Sequence, residues 1–115
     1  MLAAPARLRQ SADFQLTVRR GVRAGRANLV VHVLARADDQ PTRVGFTVGS
    51  QVGGSVVRHR ITRQLRALVA PMLPSLPSGA NVVVRALPSA AQCGRPALAR
   101  DLHEALGAAV RKALA

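Results

Sequence analysis

The chain carries at residues 52–66 the stretch VGGSVVRHRITRQLR, which contains four arginines and no acid. At about 100° per residue, this stretch and the residues after it divide into two arcs of a helix. The apolar arc contains Val57, Ile61, Leu65, Leu68, Val69 and Met72, and the opposite, basic arc contains His59, Arg60, Arg63 and Arg66. We therefore predict a helix over about residues 54–70, which follows Gly53-Gly54-Ser55 and is stopped by Pro71.

The basic arc differs from an ordinary solvated helix face. Such a face mixes both signs of charge, often as Glu–Lys pairs at helical spacing. This arc has no acidic residue, and no Asp or Glu occurs between Gln40 and Arg100. Guanidinium groups make bidentate contacts with phosphate, so the arc predicts a surface that binds a phosphate backbone. Aromatic residues make up only 2% of the chain, which argues against recognition dominated by base stacking.

The composition points to the same kind of partner. A chain of 115 residues fits a single domain, residues 1–115, and 49% hydrophobic residues supply a core. With 17 basic and 5 acidic residues, the formal net charge is +12. That charge destabilises a compact fold by self-repulsion unless a polyanion neutralises it. We therefore expect nucleic acid as the main partner.

No enzyme site is apparent in the sequence. Cys93 stands alone, so it forms neither an internal disulfide nor a cysteine-based metal site. Asp38 and Asp39 lack a third ligand for Mg²⁺, and we interpret Asp101 and Glu104 as part of a solvated helix face. Neither a signal peptide nor an apolar run of membrane-spanning length is present. We therefore expect a cytoplasmic protein without a membrane partner.

The other elements are predicted from periodicity and turn residues. Residues 1–10 are basic, and we expect them to be irregular and flexible; a short helix follows, capped by Ser11 and ending at Gly21. Residues 22–26 are interpreted as a basic loop. We predict strands at 29–35, 43–48 and 81–86, the first two joined as a hairpin, and a final amphipathic helix at 97–114. The order helix–strand–strand–helix–strand–helix predicts an α+β two-layer sandwich.

Two stretches of the chain resemble the protein subunit of bacterial ribonuclease P. The stretches Arg43-Val-Gly-Phe-Thr-Val48 and, after a short gap, residues 52–66 are similar to that family's Val-Gly…Ala-Val-x-Arg-Asn-Arg-x-Lys-Arg-x-x-Arg run. Ser11-Ala-Asp-Phe14, Arg20-Gly21, Val82-Val-Val-Arg85 and the final helix also agree, so the resemblance covers nearly the whole chain. His59 stands where the family usually has asparagine.

The resemblance implies both a fold and a partner. The fold has a left-handed crossover through the basic helix, like the second domain of one ribosomal protein. The partner is a large catalytic RNA, and the complex removes the 5′ leader from precursor tRNA by metal-assisted endonucleolytic hydrolysis. The RNA holds the active site and its Mg²⁺. The resemblance therefore implies a subunit with no catalytic side chain and no firmly bound cofactor, present as one protein per RNA.

Two surfaces of the family carry over to residues of this chain. The surface that docks on the catalytic RNA comprises Arg58, His59, Arg60, Arg63 and Arg66. A central cleft between the first helix and the sheet holds the single-stranded leader, with matching positions at Phe14, Val18, Val30, His32 and Thr47. Phe14 and His32 would stack on bases there. Further basic contacts are expected from Arg7, Arg9, Arg19, Arg20 and Arg23.

Two other functions fit the composition. A structured-RNA-binding protein of the ribosomal type, without an enzymatic partner, would carry the same charge. A DNA-binding regulator would place the basic helix in the major groove. Against the second, no helix-turn-helix is evident, because Pro71 and Pro74 stand where the turn should be.

Overall fold

The computed structural model describes residues 6–114. Its helices and strands, in chain order, are α1 (Ser11–Arg20), β1 (Val22–Gly25), β2 (Leu29–Ala35), β3 (Arg43–Thr47), α2 (Ser55–Val69), β4 (Ala80–Ala86) and α3 (Arg95–Ala113). Short 3₁₀ helices cover Ala70–Ser75 and Pro88–Ala91. The predicted α+β class is confirmed, and α2 ends just before Pro71, as expected.

The sheet has the strand order β1-β2-β4-β3. The strand β4 lies between β2 and β3, antiparallel to the first and parallel to the second. The predicted hairpin of residues 29–35 and 43–48 is therefore wrong. Both β2 and β4 are almost continuously buried, which is typical of central strands covered on both faces. The parallel pairing of β3 and β4 needs a crossover connection, and α2 supplies it.

A fourth strand, β1, occupies residues that we predicted to be a loop. It pairs antiparallel with β2, from Val22 opposite Val33 to Gly25 opposite Val30. The prediction was wrong because the arginines around this segment suggested a solvated loop. Its residues nevertheless alternate in the strand period of two, with Ala24 buried and Arg23 exposed. The observed order is helix–strand–strand–strand–helix–strand–helix.

The main core lies between one face of the sheet and the helices α2 and α3. Leu29, Val31 and Val33 of β2 and Val82 and Val84 of β4 belong to it, together with Ile61, Leu65, Val69, Leu98, Leu102 and Leu106 of the helices. The apolar arc of α2 thus faces the core, as predicted.

The opposite face of the sheet, here called the outer face, is crossed by α1. Strand pairing assigns to the outer face Arg23, Val30, His32, Gly45, Thr47, Val83 and Arg85. The ring of Phe14 from α1 lies directly on Gly45, since a Cβ atom at Gly45 would come within 2.2 Å of Phe14 Cζ. The outer face is therefore partly covered by a helix and partly open.

The N-terminal segment, expected to be flexible over residues 1–10, is described from residue 6 onwards. Residues 1–5 lie outside the described residues. Leu8 is buried, and its backbone N–H donates a hydrogen bond to the carbonyl of Val44 at 3.0 Å. The helix α1 then begins at Ser11 with Gln10 as its N-cap and without a side-chain cap. The segment between residue 6 and α1 is therefore attached to the edge strand β3.

Asp101 has a structural role that the sequence did not reveal. It is only 4% exposed, so the interpretation as a solvated helix face is wrong for this residue. One carboxylate oxygen accepts hydrogen bonds from the backbone N–H of Asn28 at 3.1 Å and from its Nδ2 at 2.8 Å. Nearby, Arg26 Nε lies 3.2 Å from the exposed Glu104. Both contacts connect α3 to the turn between β1 and β2.

Candidate RNA-binding surfaces

One face of α2 carries a continuous set of basic and small polar side chains, here called the arginine face. Its members line a depression of about 350 Å³ and follow the spacing of three or four residues; they are Ser55, Arg58, His59, Thr62, Arg63 and Arg66. His59 and Arg63 are exposed, whereas Arg58 and Arg66 are half-buried. Half-buried arginines hold their aliphatic stems against the protein and keep their guanidinium groups near water.

Arg60 lies on the flank of the arginine face. It is exposed, and its Nη2 donates a hydrogen bond to the carbonyl of Ala91 at 2.9 Å. This bond ties α2 to the 3₁₀ helix after β4 and fixes one edge of the guanidinium group. Most of the five N–H donors of Arg60 stay available for a ligand.

Among the described residues, no ion pair neutralises the arginine face. Within residues 6–114, the ion pairs join Arg26 to Glu104, Arg36 to Asp38 and Arg100 to Asp101, so none involves α2. The Nε atom of Arg58 is buried and has no hydrogen-bond partner. A buried cationic donor without a partner costs free energy. The arginine face is therefore suited to an anion that supplies the missing acceptors.

A second depression, of about 230 Å³, surrounds the ring of Phe14 beside the edge strand β3. Its lining combines apolar and basic side chains, namely Arg7, Leu8, Arg9, Phe14, Val44, Gly45, Phe46 and Arg66. Arg7 and Arg9, which we predicted as additional contacts, thus adjoin a half-buried aromatic ring. Arg66 lines both depressions, so the arginine face and the Phe14 depression are neighbours on the surface.

The other predicted cleft residues differ in accessibility. Val18 is 41% exposed and Thr47 is exposed, so both are available for contact. Val30 and His32 are only 3% and 4% exposed. At 4% exposure the ring of His32 is not accessible to a base in this structure, so its stacking role stays a prediction that would require the ring to become exposed. Val30 and His32 both lie on the outer face of the sheet, on β2.

The pKa of His32 is lowered from its usual value, first by burial and then by the positive charges of Arg85 and Arg23. Both ring nitrogens are buried without a hydrogen-bond partner. Burial and neighbouring cations both disfavour the imidazolium form. His32 is therefore neutral at pH 7 and adds no charge to the cleft.

Comparison of the chain with known proteins identifies its family. The Ribonuclease P family model matches residues 2–110. The chain is 50% identical to the ribonuclease P protein component of Streptomyces bikiniensis, an alignment that covers 92% of this chain and 93% of that protein. It is 49% identical to the ribonuclease P protein component of a Nocardioides species, with 92% of each chain covered. This chain belongs to the ribonuclease P protein family.

Solved structures of ribonuclease P proteins have the same fold. The protein from Staphylococcus aureus superposes with a TM-score of 0.81 at 23% identity, over 90% of this chain and 94% of that one. The protein from Thermotoga maritima gives 0.75 at 22% identity, over 91% and 96% of the two chains. The predicted family is confirmed, and with it the role of a protein subunit in a ribonucleoprotein endoribonuclease. The ribosomal-type and DNA-binding alternatives are not favoured.

Three further basic residues predicted as contacts in this ribonuclease P family member lie on α1 and β1. Arg19 and Arg20 are exposed in the last turn of α1, and Arg23 is exposed on β1. Arg85 was not among the predicted site residues, yet it lies on the outer face between Val30 and Thr47. The strand period of two could have found it, because it places Arg85 opposite to the core residues Val82 and Val84.

The described part of the chain offers no ligand set for a metal ion. Groups of three or more His, Cys, Asp or Glu side chains with suitable geometry are absent between residues 6 and 114. Asp38, which we considered as a possible Mg²⁺ ligand, instead accepts hydrogen bonds from Arg36, and this contact holds the pKa of its carboxyl below the usual range. None of the helices described is long and apolar enough to cross a membrane.

Proposed function

We propose that this chain docks on the catalytic RNA of ribonuclease P through the arginine face and holds the 5′ leader of precursor tRNA along the cleft. The arginine face carries the proposal, because its four guanidinium and imidazole groups at Arg58, His59, Arg63 and Arg66 point from one side of a helix whose other side is core. Arginines at this spacing fit the phosphates of a folded RNA better than a smaller anion.

The docking geometry depends on how rigidly α2 is held. Ile61, Leu65 and Val69 are fully buried, and Arg60 is bonded to Ala91. A guanidinium group on a fixed helix loses less conformational entropy on binding than one on a mobile loop. Arg58, Arg60, Arg63 and Arg66 therefore act as a preorganised set of hydrogen-bond donors to phosphate, and the exposed His59 adds a polar ring beside them.

Leader binding is proposed for the open part of the outer face and for the Phe14 depression. Phe14 presents the aromatic ring, Val18 and Thr47 are accessible beside it, and Arg7 and Arg9 supply positive charge. One aromatic ring with several arginines suits a single-stranded RNA that is bound mainly through its phosphates, with little recognition of its base sequence. The position of Arg66 between the two surfaces would bring leader and catalytic RNA close together.

The chemical step is assigned to the RNA. The residues described offer no group of three or more metal-ligating side chains, and we assign the Mg²⁺ to RNA phosphates. The protein contributes positive charge between two polyanions, catalytic RNA and precursor tRNA, which otherwise repel each other. That contribution should matter most at low Mg²⁺, where fewer cations screen the repulsion. We expect one protein to act on each RNA.

The decisive experiment is cleavage of a precursor tRNA by the catalytic RNA of the same organism at low Mg²⁺, with and without this protein. The expected result is stimulated cleavage at the mature 5′ end by the complex and no cleavage by the protein alone. A folded protein that gives no stimulation would contradict the proposal. That outcome would favour a protein that binds another structured RNA, and binding experiments with total cellular RNA would detect that RNA.

A further inference from the structure

Arg85 is a half-buried arginine on the central strand β4, without a counter-ion among the described residues. Its side chain belongs to the outer face, since β4 residues 82 and 84 point into the core. Strand pairing places it directly between Val30 of β2 and Thr47 of β3. The Nε atom of Arg85 is buried without a hydrogen-bond partner. The outer face therefore has an unmatched guanidinium group at its centre.

Of the five acidic residues, three have other partners, and none forms an ion pair with Arg85 among the described residues. Glu104 pairs with Arg26, Asp38 pairs with Arg36, and Asp101 accepts hydrogen bonds from Asn28. Asp39 is exposed in the turn after β2, and Asp13 lies in the first turn of α1. No ion pair within residues 6–114 includes Arg85. The positive charges of Arg85 and Arg23 both act on His32, so this part of the outer face carries two cations.

A half-buried cation without a partner destabilises the protein alone, because its desolvation is not compensated. The arrangement becomes favourable when a ligand brings an anion to the outer face. The neighbours of Arg85 restrict the ligand's shape, since the nearly buried Val30 makes the surface apolar on one side and the exposed Thr47 lies on the adjacent strand. An extended strand with one phosphate at Arg85 and a sugar or base over the apolar side fits these groups.

We propose that Arg85 binds a backbone phosphate of the single-stranded leader and thereby fixes the path of the leader across the sheet. This inference rests on the proposed function of the cleft and adds a specific positioning residue to it. The guanidinium group can make a bidentate contact with a phosphate, whereas an ammonium group would act as a point charge. Arg85 pairs with Thr47, two residues along β3 from the Gly45 on which the Phe14 ring lies, so it would connect the Phe14 depression to the rest of the outer face.

The test compares holoenzymes reconstituted with the wild-type protein, Arg85→Gln, Arg85→Lys and the control Arg111→Gln. Arg111 is exposed on α3, on the core side of the sheet, and its replacement removes the same charge. For each holoenzyme, the dissociation constants of leader-bearing precursor tRNA and of mature tRNA are measured over a salt series. Thermal unfolding of the free proteins confirms that the variants fold.

For Arg85→Gln we expect roughly tenfold weaker binding of precursor tRNA, as for the loss of one charge-assisted hydrogen bond. The slope of log affinity against log salt should fall by about 0.7, the value for one phosphate of a single strand. Mature tRNA binding should not change. Arg85→Lys should keep the slope and lose part of the affinity, and Arg111→Gln should match the wild type.

Equal weakening for precursor and mature tRNA, or an unchanged slope in Arg85→Gln, would overturn the inference. If Phe14→Ala lowers precursor affinity but Arg85→Gln does not, the leader occupies the cleft without using Arg85, so the proposed function stands alone. If Arg85→Gln does not fold, arginine-specific dicarbonyl modification of the wild-type holoenzyme decides. Precursor tRNA, but not mature tRNA, should protect Arg85, and no protection would refute the proposal.

Discussion

Gly45 and Phe14 show how a single residue shapes the proposed leader cleft. A methyl group at Gly45 would come within 2.2 Å of Phe14 Cζ and 2.6 Å of Cε1, so any larger residue must displace the ring. The resemblance predicted Phe14 as a cleft residue, but nothing in the sequence indicated that its ring packs on Gly45. The close approach of α1 to β3 exists only in the folded chain, because residues 14 and 45 belong to separate elements.

Phe14→Ala should weaken the binding of leader-bearing precursor tRNA and leave the binding of mature tRNA unchanged. Removing one base–aromatic stack typically costs about 1–3 kcal/mol. Gly45→Ala should produce the same selective loss, because it moves the ring without removing it. Holoenzyme affinities for the two RNAs test both variants. An equal loss for both RNAs, with the fold intact, would mean that Phe14 is only a packing residue.

Asp101→Ala should lower the free energy of unfolding by about 1–3 kcal/mol, because the backbone and side-chain donors of Asn28 would be left buried without an acceptor. Glu104→Ala is the matched control on the same helix. Its exposed ion pair with Arg26 should contribute less than about 1 kcal/mol. Urea unfolding of both variants measures the difference. Comparable losses would contradict the structural role assigned to Asp101.

At the scale of elements, α2 has one buried face and one basic face, and this division was predictable. The helical period alone separates Ile61 and Leu65 from His59 and Arg63, and the structure places the two pairs as predicted. The helical period of α2 did not predict the hydrogen bond from Arg60 to Ala91. Ala91 lies in a 3₁₀ helix after β4, and only the tertiary structure brings it next to α2.

Replacing Arg58, Arg60 and Arg63 together by alanine should weaken binding to the catalytic RNA and flatten its salt dependence. Each lost phosphate contact lowers the log–log slope by roughly one. The control removes equal charge from α3 by replacing Arg95, Arg111 and Lys112 with alanine. Filter binding over a salt series compares the two triple variants. The same decrease for both would show that total charge, not the arginine face, governs binding.

At the scale of the whole molecule, stability is linked to pH through His32. Burial, Arg85 and Arg23 all lower its pKa in the folded state, so the fold favours the neutral ring. In the unfolded chain the same ring titrates near its usual value of about 6.5. The stability that depends on neutral His32 is therefore complete above about pH 6.5. It decreases as the pH falls towards the lowered pKa of the folded state.

This linkage predicts that the free energy of unfolding decreases between about pH 7 and pH 5 in the wild-type protein. His32→Phe, which keeps a ring of similar size but cannot be protonated, should show a smaller decrease over the same range. Urea unfolding at several pH values measures both curves. Parallel curves would show that another group causes the pH dependence.

The sequence alone determined the family, the helix α2 and the net charge of +12. A motif, a helical period and a composition can each be read from the chain without knowing which distant residues meet. Tertiary structure decided the insertion of β4 between β2 and β3, the strand β1, and the burial of His32 and Asp101. These features depend on which strands bury best in the centre of the sheet and on which distant groups then meet. Arg85 depends on both. The alternation of β4 places it on the face opposite the core, which the sequence shows, whereas the buried Nε without a hydrogen-bond partner appears only in the folded protein.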